Sequence, residues 1–168
     1  MDRTELRESL TGVLPLLNKI NLQSRVTGIN SFFKLIDDYF INAPCEDEIL
    51  FSQREDLLEE IYLLYDQWVP LYKNWISTNS EFSKIETIIK NEQENIGNSL
   101  KLITKILNNH HPEDFSKQKE LLKKFKDYIT KETLIPINKN MDQINSDLDL
   151  LTPKIINSCQ KVQEWLNS

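Results

Sequence analysis

Glycine is nearly missing from this chain: 168 residues contain three, Gly12, Gly28 and Gly97. Sheet-rich domains need more turn glycine than that, and without a glycine-rich stretch there is no loop to cradle a phosphate. Cysteine is equally scarce. Cys45 and Cys159 lie far apart and in no metal-binding spacing, and they read as reduced thiols of an intracellular protein. No uncharged apolar run approaches the roughly 18–20 residues that span a bilayer. The opening MDRTELRESL is charged within its first turn, which is not the pattern of a secretory signal. The expectation is a soluble protein of the cytosol or nucleus, with no membrane insertion. Positive charge is in deficit as well. The net charge is −6, which disfavours nucleic acid as a partner, because phosphate binding needs a basic face.

What the chain has is helix-forming residues at helical spacing. Leu, Ile, Lys, Glu, Asn and Asp dominate, a mixture suited to long amphipathic helices. Leu6, Leu10, Val13, Leu14, Leu17 and Ile20 predict a first helix over residues 2–22, with Pro15 as a bend or a break. Val26, Ile29, Phe33, Ile36 and Phe40 predict a second over 24–41. In INAPCEDE, Asn42 and Pro44 can stop one helix, and Glu46, Asp47 and Glu48 suit the start of the next. Steps of four and three then run through Leu57, Ile61, Leu64, Trp68, Leu71, Trp75, Thr78, Phe82, Ile85 and Ile89. After Glu92, Ile96 and one stutter they continue through Leu100, Ile103 and Leu107, a heptad seam that would extend roughly 75 Å if unbroken. Pro70 should kink or divide it. NNHHPED is the expected turn, with Pro112 opening a return helix. Its seam runs from Leu122, Phe125 and Ile129 through Ile137, Met141, Ile144, Leu148, Leu151, Ile155, Cys159, Val162 and Leu166.

The fold expected from these signals is all-α: an elongated antiparallel helical bundle or coiled coil with short N-terminal helices packed at one end. It reads as one helical domain over 1–168, with N-terminal helices in 1–42, a long helix over 45–107 kinked near Pro70, and a return helix over 112–167. Chain ends fray unless tied down, and Trp165 widens the terminal apolar stripe beyond what one helix covers. A third helix is therefore expected against this end, either the N-terminal segment or a partner subunit.

No catalytic, cofactor-binding or metal-binding constellation emerges. His110 and His111 are neighbours in sequence and do not share a helix face, so they read as a solvated turn. Cys159 has no base at helical spacing and reads as a buried seam thiol. The abundant carboxylates lie on polar helix faces. Two charge blocks stand out. Cys45–Asp66 carries eight acidic residues and one arginine, net −7, and Lys117–Lys131 carries six lysines with Glu120 and Asp127, net +4. Both fit solvated helix faces, with electrostatic docking as the functional alternative. Trp68, Tyr72 and Trp75 share a face, extended by Tyr65, and make a core or an interface anchor. Candidate partner-interface residues are thus Trp68, Tyr72, Trp75, Ile155, Val162, Trp165 and Leu166.

The order of parts also carries a resemblance. INLQSRVTGINSFFKLIDDYF is followed by an acidic, proline-marked break, then LLEEIYLLYDQWVPLYKNWI, then ILNNHHPEDFSKQKELLKKF and a terminal QEWL. This resembles the dynactin subunit 3 family, the smallest shoulder subunits of dynactin. The resemblance covers roughly residues 6–166 and carries over Arg25, Pro112 and Trp165 as structural residues. It implies a non-catalytic, cytoplasmic, cytoskeleton-associated subunit in an obligate hetero-oligomer. Such a subunit would bundle with helices of dynamitin and the large sidearm subunit and support dynein-driven transport along microtubules. Pro136, Pro153 and the pair Trp68/Trp75 depart from the family pattern. They keep open a coiled-coil subunit of another scaffold, such as a kinetochore or vesicle-tethering complex. A helical-bundle enzyme or lipid-binding module is the reading from a different class, and the absence of paired ligands on facing seams argues against it.

Overall fold

The computed structural model describes residues 1–106 and 134–168, together with Glu120, Lys123, Lys124, Asp127 and Tyr128; for residue 96 and residues 99–106 it describes the backbone alone. Four α-helices and no strand occur among the described residues: α1 (Arg3–Leu17), α2 (Leu22–Asp38), α3 (Glu48–Ile106) and α4 (Ile135–Leu166), with a short 3-10 turn at Phe40–Asn42 before α3. The fold is an all-α helical bundle. The expected turn at NNHHPED, and the seam positions Leu107, Leu122, Phe125 and Ile129, lie outside the described residues. Contacts group the chain into two compact units, Met1–Lys73 with Ile144–Ser168 (unit 1) and Asn74–Gln143 (unit 2).

Local chemistry sets the helix starts. Asp2 and Glu5 form a reciprocal capping box on α1, and Asn21 accepts from the Ser24 N–H at 3.1 Å to cap α2. Asp47 accepts from the Ile49 and Leu50 N–H groups at 2.8 and 3.3 Å, so the acidic break opens α3 as its composition implies. α1 ends at Leu17 with Asn18 as its C-cap, short of the expected residue 22. Ile20 therefore sits in the connecting turn, 94% exposed, and not on the seam.

The prolines do not divide their helices. α1, α3 and α4 run on through Pro15, Pro70 and Pro153. A proline removes the partner of the carbonyl four residues earlier. Those carbonyls belong to Thr11, Asp66 and Asp149, and all six residues are exposed, so water can replace the lost bond.

Unit 1 packs α1, α2, the first part of α3 and the last part of α4 around one core. Leu6, Leu10 and Leu17 come from α1, Ile29, Phe32 and Ile36 from α2, and Leu58, Ile61 and Trp68 from α3. The α4 seam is buried in full from Ile144 through Leu148, Leu151, Ile155, Cys159 and Val162 to Leu166. On α3 the core takes Leu58 and leaves Leu57 only half-buried. A helix contacting several neighbours buries a wider stripe than a two-helix seam requires.

α1 and α2 approach closely at Gly28. A Cβ there would lie 2.9 Å from Leu16 Cβ and 3.1 Å from Leu17 Cδ2, whereas at Gly12 and Gly97 it would meet nothing within 4 Å. Gly28→Ala is therefore expected to destabilise the chain by about 1–3 kcal/mol through overpacking. Gly12→Ala should instead stabilise by up to about 1 kcal/mol through helix propensity. Urea denaturation of the two variants checks the opposite signs.

In unit 2, the polar interruption of the α3 seam has a specific partner. Thr78 is buried and accepts from Asn140 Nδ2 at 2.6 Å, while Asn140 and Asn74 exchange longer bonds of 3.3 and 3.4 Å. A buried polar pairing of this kind fixes the register of two helices.

Candidate functional site

The C-terminal end is tied down by the N-terminal segment, one of the two arrangements expected for it. Trp165 is buried, lies edge-on to Phe40 at 5.3 Å and donates from Nε1 to the Leu50 carbonyl at 2.8 Å. The Arg3 guanidinium covers its ring at 4.6 Å and donates to the Pro44 carbonyl at 2.6 Å and the Ser168 carbonyl at 3.1 Å. Arg7 also bonds Asn167. Arg25 is buried on α2 and reaches α4, pairing with Asp149 at 2.6 Å and bonding Asn145.

Of the seven residues the sequence offers as interface candidates, Trp68, Ile155, Val162, Trp165 and Leu166 are seated in the core of unit 1. Their apolar surface is taken up by this chain's own helices. Trp68 donates to Asn30 at 3.0 Å and stacks on Tyr72 at 5.3 Å. Tyr72 and Trp75 remain half-buried.

Cys159 is fully buried, with Sγ 3.9 Å from the Leu10 carbonyl, and burial pushes its thiol up from 9.0 to about 12. The core keeps the neutral form, so this contribution to stability is complete below about pH 9 and is lost as the pH rises from 9 towards 12. A thiol reagent at neutral pH is expected to modify Cys45, which is only half-buried, and to reach Cys159 only after unfolding. The alkaline fall in the urea midpoint should be shallower in Cys159→Ala than in the unsubstituted chain.

The surface with the most unusual chemistry lies on the solvent side of α3 in unit 1, which the sequence marked as an acidic block with Tyr65 in an aromatic group. Ile49, Phe51, Tyr62, Leu63 and Tyr65 are five large apolar side chains exposed on it. Tyr62 stands between two open grooves. One, of about 420 Å³, runs between α2 and α3 over Phe33, Ile36 and Ile61, and Tyr65 meets Phe33 edge-on at 5.2 Å beside it. The other, of about 380 Å³, is lined by Glu55, Asp56, Glu59, Leu63 and Asp66. Arg54, the single cation of the acidic block, is buried and donates to the Ala43 carbonyl. Lys161 is paired with Glu60 at 3.1 Å.

No group of three or more metal-ligating side chains occurs among the described residues, and His110 and His111 lie outside them. No helix among the described residues is long and apolar enough to cross a membrane. The class defined by the architecture is an all-α helical bundle. The chain matches no protein-family model, and neither a curated protein nor a solved structure matches it.

Proposed function

We propose that this chain is a non-catalytic structural subunit of a multiprotein assembly, specifically a dynactin shoulder subunit of the dynactin subunit 3 type. In this role it bundles with partner helices, dynamitin and the large sidearm subunit among them, and supports dynein-driven microtubule transport in the cytoplasm. The reading rests on one contrast between the units. In unit 1 the apolar seams are mostly buried within the chain: on α3, Ile61, Leu64 and Trp68 are buried, with Leu57 and Leu71 half-buried. In unit 2 the α3 seam continues at heptad spacing, yet Phe82, Ile85 and Ile89 stay half-buried and Ile88 is exposed. A regular apolar stripe left partly wet is the surface that helix association covers.

Affinity purification of the tagged full chain, with identification of what co-purifies, tests the proposal. Recovery of dynamitin, the large sidearm subunit and actin-related proteins is expected, with loss of all of them in a Phe82→Glu/Ile85→Glu variant that keeps its unit 1 stability. Recovery of kinetochore or vesicle-tether subunits instead would assign the chain to a different scaffold and overturn the dynactin reading.

A further inference from the structure

We propose that the solvent face of α3 between Phe51 and Asp66 docks a lysine- or arginine-rich amphipathic helix of another protein chain. This surface belongs wholly to unit 1 and stands independently of the half-buried seam of unit 2.

The face is built by helical spacing. At about 100° per residue, Glu55, Glu59, Tyr62, Leu63 and Asp66 fall on one side of α3, opposite Ile61, Leu64 and Trp68, which enter the core. Leu63 lies at one edge of this side and Tyr62 at the other, with Glu55, Glu59 and Asp66 between them, and Leu63 is 60% exposed. The apolar elements are Leu63, the Tyr62 ring and the groove over Phe33 and Ile61. These match the contact that one apolar stripe of a helix makes, in which side chains three and four residues apart enter adjacent depressions.

The rim decides the sign of the partner. Glu55, Asp56, Glu59 and Asp66 line the groove beside Leu63, and no cation among the described residues pairs with any of them, while at the groove over Phe33 the charges of Lys34 and Asp37 offset one another. The one arginine within the block could have offset them, but it is turned inward to the Ala43 carbonyl. An apolar strip with this excess of carboxylates beside it repels an anionic helix and attracts a cationic one. The same charge turns away nucleic acid and anionic membranes. It also opposes a two-fold contact with a second copy, which would set the carboxylates against their own equivalents.

The test uses the full chain and a fluorescent designed peptide of about 18 residues, long enough for five helical turns, with leucines at helical spacing and lysines elsewhere. Saturable binding is expected, at least tenfold tighter than that of a scrambled peptide of the same composition. It should weaken at least tenfold when salt rises from about 50 mM to about 500 mM, which shortens the screening length. Glu55→Lys/Glu59→Lys/Asp66→Lys should abolish binding, Leu63→Ser should weaken it at least fivefold, and Glu81→Lys/Glu86→Lys, on exposed positions of unit 2, should leave it unchanged. Circular dichroism confirms that each variant is folded, and all the substituted positions are exposed. Equal binding of the scrambled peptide, or retention of binding in the triple variant, would overturn the proposal. Self-association of the unsubstituted chain that the triple variant removes would also overturn it, by giving the surface to a second copy.

Discussion

A chain ending at Lys154 is expected to lose the folded structure of unit 1, and not merely a frayed tail. The residues removed include Ile155, Cys159, Val162, Trp165 and Leu166, all buried. At about 1.5–3 kcal/mol for each large apolar side chain, they contribute roughly 8–15 kcal/mol of burial. That is comparable to the whole net stability of an ordinary domain, about 5–15 kcal/mol. α1 and α2 then lose the surface they pack on. Circular dichroism should show helix loss extending beyond the deleted residues. Trypsin should cut after Arg25, which is buried against α4 in the intact chain. If Arg25 stayed protected and the urea transition kept its midpoint and slope, the C-terminal segment would be dispensable and this account of the core would fail.

Trp165→Ala is expected to destabilise the chain by about 4 kcal/mol, within the range for truncating a buried aromatic side chain. The ring is enclosed by Phe40 and Arg3, and Arg54 lies 5.7 Å from its centroid. Alanine leaves a cavity between the two ends of the chain and removes the bond to the Leu50 carbonyl. Trp165→Phe keeps a ring against Phe40 and loses that bond, so it should cost less, about 1–2 kcal/mol. Urea denaturation with linear extrapolation measures both. A loss below about 1 kcal/mol for the alanine variant would mean that the end frays despite its contacts.

The sequence alone determined the helical class, the acidic helix start after the proline-marked break, and the inward face of the last helix. Each follows from local rules. Glycine scarcity excludes a turn-rich sheet, a carboxylate beside free N–H groups caps a helix, and apolar residues at steps of three and four define a stripe. In α4 every stripe position from Ile144 to Leu166 is buried, and Thr152, Ser158 and Trp165 are buried beside them.

The tertiary structure decided what each stripe is used for, because periodicity specifies a face and not its occupant. Trp68 and Trp165 read from the sequence as core residues or as anchors for a partner, and both are consumed inside unit 1. Ile20 fits the α1 period and is left in water, because Asn18 ends the helix before it. Pro15, Pro70 and Pro153 could have broken their helices; they do not, because packing turns each of them and the carbonyl it deprives towards solvent. Arg54 counts as partial neutralisation of the acidic block in a sum of charges. Only folding shows that it points inward and leaves the carboxylates beside Leu63 without a paired cation among the described residues. Charge is a property of composition, whereas the field on a surface depends on which side chains the neighbouring helices leave outside.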